Sequence, residues 1–232
     1  MHDVGIYENL ILGIYFLLLK KCKIFDEKTI VRCYTGRSMR INVRKHERRG
    51  YQSIKMSNIL EKQFLKQRND FEKSCVERDK KYHFPQGVIF ETDIAYAKDK
   101  NKAHRLDRYR PKGKEAQILP VIINVHGGGL LLGNKEFNKY FCALLSKKGF
   151  LVYSMEYRLI PDCTFFDQLR DIFLAMDFVK EHAAADGGDL SHVYLVGDSG
   201  GACLATYANA IQNSKKIAKA AGVKPSELKV HA

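Results

Sequence analysis

Ser199 stands in the run Gly197-Asp198-Ser199-Gly200-Gly201, and 73 positions before it stands His126-Gly127-Gly128-Gly129. A serine hydroxyl becomes a useful nucleophile when a base takes its proton. The oxyanion that follows attack on a carbonyl needs N–H donors already aimed at it. The serine run follows the β-branched-rich stretch Val193-Tyr194-Leu195-Val196 and precedes Ala202 to Ile211, a good helix former. Strand, tight turn, helix, with G-x-S-x-G at the turn, has the form of a nucleophile elbow, whose glycines let strand and helix backbones pass close together. The second run ends the apolar strand Val121-Ile122-Ile123-Asn124-Val125, and its glycines leave backbone N–H groups unhindered. A glycine turn can also cradle phosphate, but neither G-x-x-x-x-G-K-[ST] nor a helix-opening G-x-G-x-x-G is present. Either run alone occurs in glycine-rich loops by chance; the pair, each at a strand end and in this order, points to acyl transfer.

The elements that must position these turns alternate along the chain. Met56 to Tyr82 has amphipathic helical spacing through Ile59, Leu60, Phe64, Phe71 and Cys75. Val88 to Tyr96 and Arg105 to Arg110 read as strands joined by a polar turn. Strand 3 starts at Pro120 and is apolar on both faces, as a central parallel strand should be. Glu136 to Lys148 is helical, Phe150 to Tyr157 is strand 4, Asp167 to His182 is helical, and Val193 to Val196 is strand 5. Strands alternating with helices over short connections predict an α/β fold, a mostly parallel sheet covered on both faces. Its reactive turns would lie at the carboxyl ends of the strands.

With both turns and this order of elements, the sequence resembles the α/β-hydrolase fold, in particular the hormone-sensitive-lipase-like group of esterases and lipases. Glu156-Tyr157-Arg158-Leu159-Ile160-Pro161-Asp162 resembles that group's YRLAPE segment, and Leu106-Asp107-Arg108-Tyr109-Arg110-Pro111 its LDxYxP segment. The resemblance covers about residues 86–232 and implies a serine hydrolase that cleaves small carboxylic esters through an acyl-enzyme. Ser199 would be the nucleophile; the N–H groups of Gly200, Gly128 and Gly129 would hold the oxyanion, and Gly127 would shape the turn. His126 would orient that turn rather than act as the base, and Asp198 would belong to the elbow rather than to the triad. Gly-Asp-Ser-Gly-Gly also occurs in chymotrypsin-like proteases, which are all-β, so the alternation of strands and helices here excludes them. No metal and no organic cofactor is implied.

In this fold the acid and then the histidine follow the serine along the chain. After Ser199 the chain holds Glu227 and His231. Lys229 to Ala232 reads as the beginning of a sixth strand, so a Glu227/His231 pair is disfavoured. The expectation is a hydrolase domain cut before its acid and base, with the C-terminal strands missing and an exposed edge at strand 5 that would leave the chain poorly stable alone. A hydrolase-fold binding protein without turnover, or an inactive pseudoenzyme, is the alternative.

The net charge of +13 invites a nucleic-acid reading, but 12 Lys/Arg against 5 Asp/Glu fall in residues 1–55, and no nucleic-acid motif accompanies them. That basic stretch reads as an extension outside the domain, or as translated leader ahead of Met56. Residues 56–85 form an N-terminal helix that could cap the site, and 86–232 the hydrolase portion. Leu10 to Leu19 is an apolar run of ten, short of the ~20 residues of a spanning helix. Membrane contact through residues 6–19 stands as the minor alternative to a cytoplasmic protein. The six cysteines have neither metal nor disulfide-framework spacing, which suits free thiols in a reducing compartment. The oligomeric state and the ester substrate stay open.

Overall fold

The computed structural model describes residues 53–231. The basic extension, the leader reading and the membrane alternative fall on residues outside these, apart from the last three positions of the extension. Gln52–Ala232 form one compact unit. Helix α1 (Ser53–Asp79) opens it, three residues ahead of the start expected from spacing. Phe64, Arg68, Phe71, Cys75, Arg78 and Asp79 lie on its half-buried stripe at helical intervals.

Five strands follow: β1 (Val88–Ala95), β2 (Arg105–Pro111), β3 (Leu119–Val125), β4 (Leu151–Met155) and β5 (Gly188–Gly197). They pair in the order β1-β2-β4-β3-β5. β3 runs parallel to both β4 and β5, whereas β1–β2 and β2–β4 are antiparallel. The short polar turn after β1 dictates the first antiparallel pair, because a parallel return needs a crossover of a dozen residues or more. The crossovers after β3 and β4 carry helices: α2 (Lys139–Lys147), preceded by a 3-10 turn (Lys135–Asn138), and α3 (Phe165–His182). Thr164 caps α3 and Asp167 returns the bond, a capping box that fixes its first turn. After β5 come α4 (Gly200–Gln212) and α5 (Lys215–Ala221), the latter ended by Gly222 at φ 61°.

β3 and β4 are buried almost throughout, so both faces of the sheet are covered there. On one face Tyr109, Ile122 and Val152 pack with Cys142 and Ala143 of α2. The residues alternating with these, Val121, Ile123, Leu151, Tyr153 and Met155, face the other way. They are buried too. Leu169, Ile172 and Met176 of α3 and Leu204, Ala208 and Ile211 of α4 are also buried. Such apolar side chains are worth about 1.5–3 kcal/mol each when fully buried. His231 makes an isolated parallel bridge to Tyr194 on the free side of β5, where a sixth strand was expected to begin.

Candidate active site

The site begins with one rung of the sheet. β3 and β5 are parallel neighbours, and Val125 pairs with Gly197. The residues that follow, His126 onward on one strand and Asp198 onward on the other, therefore leave the sheet side by side at its carboxyl end.

On the β5 side the chain turns sharply into α4. Ser199 has φ 47°, ψ −116°, outside the regions that side chains favour, and its hydroxyl does not cap the helix it precedes. Its side chain is exposed. The glycines around it are there for closeness. A Cβ on Gly201 would fall onto the carbonyl oxygen of Val125 and lie 2.6 Å from that of His126. A Cβ on Gly197 would lie 2.5 Å from the carbonyl carbon of Gly201. The start of α4 thus rests on the backbone of β3, and only hydrogens fit between.

On the β3 side the glycine turn takes the opposite hand over three residues: Gly128 at φ 120°, Gly129 at 60° and Leu130 at 72°. Leu131 and Leu132 both donate to the carbonyl of Gly128, at 3.1 and 2.9 Å. The carbonyl of Leu130 accepts from Ile160 N (3.1 Å) and from the buried Gln168 Nε2 (2.9 Å), which fixes the plane of its peptide. Among the described residues, the N–H groups of Gly128, Gly129 and Leu130 donate to no protein acceptor. Two of them lie against the elbow: a Cβ on Gly200 would stand 3.0 Å from both Gly129 N and Leu130 N.

Asp198 ties the two turns together. Its Oδ1 accepts from Gly127 N (2.9 Å) and from Asn138 Nδ2 (2.8 Å). A side chain at Gly127 would collide with the same carboxylate, which explains glycine there better than conformational freedom does. His126 is fully buried and stacks on Tyr157, ring centroids 4.3 Å apart. Its Nδ1 lies 2.7 Å from the carbonyl of Gly127 and its Nε2 2.9 Å from Glu156 Oε1. Nδ1 faces a carbonyl, which can only accept, and Nε2 faces the carboxylate. Glu156 also accepts from the N–H groups of Lys135 (3.0 Å) and Tyr157 (3.2 Å), and the Tyr157 hydroxyl donates to the carbonyl of His126 (2.8 Å). Burial pushes the Tyr157 hydroxyl well above the ordinary phenol value, so it is a donor throughout the working range. Behind it, Arg158 forks onto the buried Asp171 (2.6 and 2.9 Å) and pins the segment after β4 to α3.

The structure therefore brings Ser199, Gly200, Gly127, Gly128, Gly129, His126 and Asp198 to one place. It does not bring Glu227 or His231 there. Glu227 pairs with Lys180, and His231 Nε2 lies 2.9 Å from the carbonyl of Ser191, at the other end of β5. Among the described residues, no histidine is hydrogen-bonded to Ser199; His104 and His192 lie against aspartates elsewhere, and His182 against its own helix. Sequence reasoning missed the roles of Glu156, Gln168, Asn138 and the N–H of Leu130. A polar residue at an inward position of α3 was the one visible sign of Gln168. Among the described residues no group of His, Cys, Asp or Glu is arranged to hold a metal, and no helix is long and apolar enough to cross a membrane.

The chain is similar to several esterases. Isoprenylcysteine alpha-carbonyl methylesterase of Arabidopsis thaliana is 32% identical over 114 residues, 49% of this chain and 26% of that protein. Versiconal hemiacetal acetate esterase of Dothistroma septosporum is 30% identical over 48% of this chain and 32% of its own. Esterase B of Lactobacillus rhamnosis superposes with a TM-score of 0.66 at 30% identity, over 73% of this chain and 55% of that one. An esterase of Pyrobaculum calidifontis does so at 0.53 and 28%, over 69% and 50%. The chain thus spans about a quarter to a third of these curated relatives and about half of the solved ones. The family model described as BD-FAE matches residues 106–232, more than half of the chain. With five strands in this order, helices on both faces and these esterases as relatives, the chain belongs to the BD-FAE family and has the α/β-hydrolase fold.

Proposed function

We propose that this protein hydrolyses small carboxylic esters through an acyl-enzyme on Ser199. The observation that carries the reading is the meeting of the two turns. An exposed serine whose hydroxyl caps nothing opens α4, and two uncommitted N–H groups of the neighbouring glycine turn lie against the residue after it. In the reaction Ser199 Oγ attacks the ester carbonyl carbon, the carbonyl oxygen becomes an oxyanion, and the alcohol leaves with a proton. Water then releases the acid by the same steps in reverse. The N–H groups of Gly128, Gly129, Leu130 and Gly200 are the donors to the oxyanion, and loss of one such donor costs about 3–4 kcal/mol of transition-state stabilisation. His126, clamped by Glu156 and Tyr157, keeps the glycine turn in shape, and Asp198 holds it against the elbow. Relatives named for methyl ester and acetate ester cleavage support esters with a small group on one side.

A second reading, a hydrolase-fold binding protein without turnover, is favoured by one observation: no described histidine is bonded to Ser199 to take its proton. A fluorophosphonate probe separates the two. Applied to the protein purified from its own cells, it labels Ser199 if the serine is activated, and Ser199→Ala abolishes both labelling and hydrolysis of p-nitrophenyl acetate, the latter by about 10⁴-fold or more. A folded protein that takes no label is the binding protein.

A further inference from the structure

Arg68 grips the loops of the site at three points. Arg68 lies on the stripe of α1 that faces the sheet's carboxyl end, with its side chain 14% exposed. Its guanidinium spreads over two separate loops. Nε donates to the carbonyl of Leu131 (2.9 Å), Nη2 to the carbonyl of Ile160 (2.7 Å), and Nη1 to Asp162 (2.7 Å). These loops are already coupled, because Ile160 N donates to the carbonyl of Leu130. The contact is anchored one turn along the helix, where Phe71 packs on Phe137 with centroids 5.2 Å apart, and again at Arg78, which donates to the carbonyl of Phe137 (3.1 Å).

Leu130 and Leu131 continue directly from the glycine turn. The peptides that follow the Leu130 and Leu131 carbonyls carry the N–H groups of Leu131 and Leu132, which both close onto the carbonyl of Gly128 and so hold the turn whose Gly129 and Leu130 N–H groups lie beside Gly200. We propose that Arg68 is a positioning residue for the oxyanion donors: from α1 it locks the Leu131 and Ile160 carbonyls, and with them the glycine turn. The inference rests on the reading of Ser199 as a nucleophile. The weight falls on the two carbonyls, not on the ion pair, because Asp162 is largely exposed and such pairs contribute little. A flat five-donor fork is what two diverging carbonyls require; a lysine ammonium on a flexible stem cannot replace it.

The test compares Arg68→Ala, Arg68→Lys and Asp162→Asn in the protein as its cells make it. Turnover of p-nitrophenyl acetate and amide hydrogen exchange over residues 127–133 are both measured. Donors that act only on the oxyanion affect the transition state and not the bound ester. A displacement of about 1 Å near the chemistry costs on the order of 100-fold. Arg68→Ala is therefore expected to lower kcat by about 10- to 100-fold with KM within about twofold. Arg68→Lys should recover little of that, and Asp162→Asn should stay near wild type. Exchange in the glycine turn should speed up in Arg68→Ala. A variant that melts earlier but keeps kcat and the exchange rates of the turn would overturn the proposal, as would full rescue by lysine. If wild type takes no fluorophosphonate label, the reading of Ser199 fails separately. The exchange arm then decides by itself whether Arg68 holds the turn.

Discussion

The elbow at residues 197–201 and the glycine turn at 126–132 leave the same rung of the sheet, yet they are held in different ways. The elbow is fixed by what is missing from it. Gly197 and Gly201 let α4 press onto β3, and Asp198 is the one side chain that reaches across. The glycine turn is fixed by what surrounds it: Gln168 from α3, Glu156 and Tyr157 from the end of β4, and Arg68 from α1. The serine's side is thus set by backbone fit within a short stretch, and the glycine turn's side by side chains gathered from across the chain. Added atoms should break the first, and removed atoms the second. Gly128 obeys both rules, since a Cβ there would strike the carbonyl of Leu132.

The contrast is sharpest at Gly201. Gly201→Ala places a methyl against two backbone carbonyls that cannot swing away, and should cost about 3 kcal/mol of stability in urea unfolding. A loss below 1 kcal/mol would mean that the helix start has slack. Next comes Glu156→Ala, which removes an acceptor shared by His126 Nε2 and the N–H groups of Lys135 and Tyr157. Leaving such groups unpaired costs about 2–3 kcal/mol, and turnover should fall with stability because the turn loosens. Turnover unchanged in the folded variant would show that the turn keeps its shape without this clamp. The smallest effect has the opposite sign. Ser199→Gly relieves a residue held at φ 47° and should raise stability by about 1 kcal/mol while ending turnover. A drop in thermal midpoint instead would assign the serine a structural role.

The same division explains what could be read from the sequence. The elbow was legible because its determinants lie within five consecutive residues, and the glycine turn because it ends a strand apolar on both faces. The α/β alternation was legible from periodicity, with ends off by a few residues. β5 starts at Gly188 rather than Val193 because Gly188 and Asp189 already pair with Leu119 and Pro120, ahead of an irregular step in register. The helix expected over Glu136 to Lys148 divides into a 3-10 turn capped by Asn134 and the shorter α2. The clamps were not legible. Arg68 and Ile160 are 92 positions apart, Gln168 and Leu130 are 38 apart, and nothing local marks either pair. Glu156 was seen as part of a run, but its partner across 30 positions was not.

The pairing of Val125 with Gly197 also sets an order in time. These strands are neighbours in the sheet but separated by some seventy residues of chain, with β4 and two helices between. Contacts of such long sequence separation are slow to form, because the intervening loop must be closed before they return any stability. β1 with β2, and β3 with β4, can assemble while the rest is still unfolded, and during synthesis they emerge before β5 does. The two turns face each other only once β5 docks. In a refolding chain the meeting of the two turns should therefore appear late, after most helix and strand signals have already been regained.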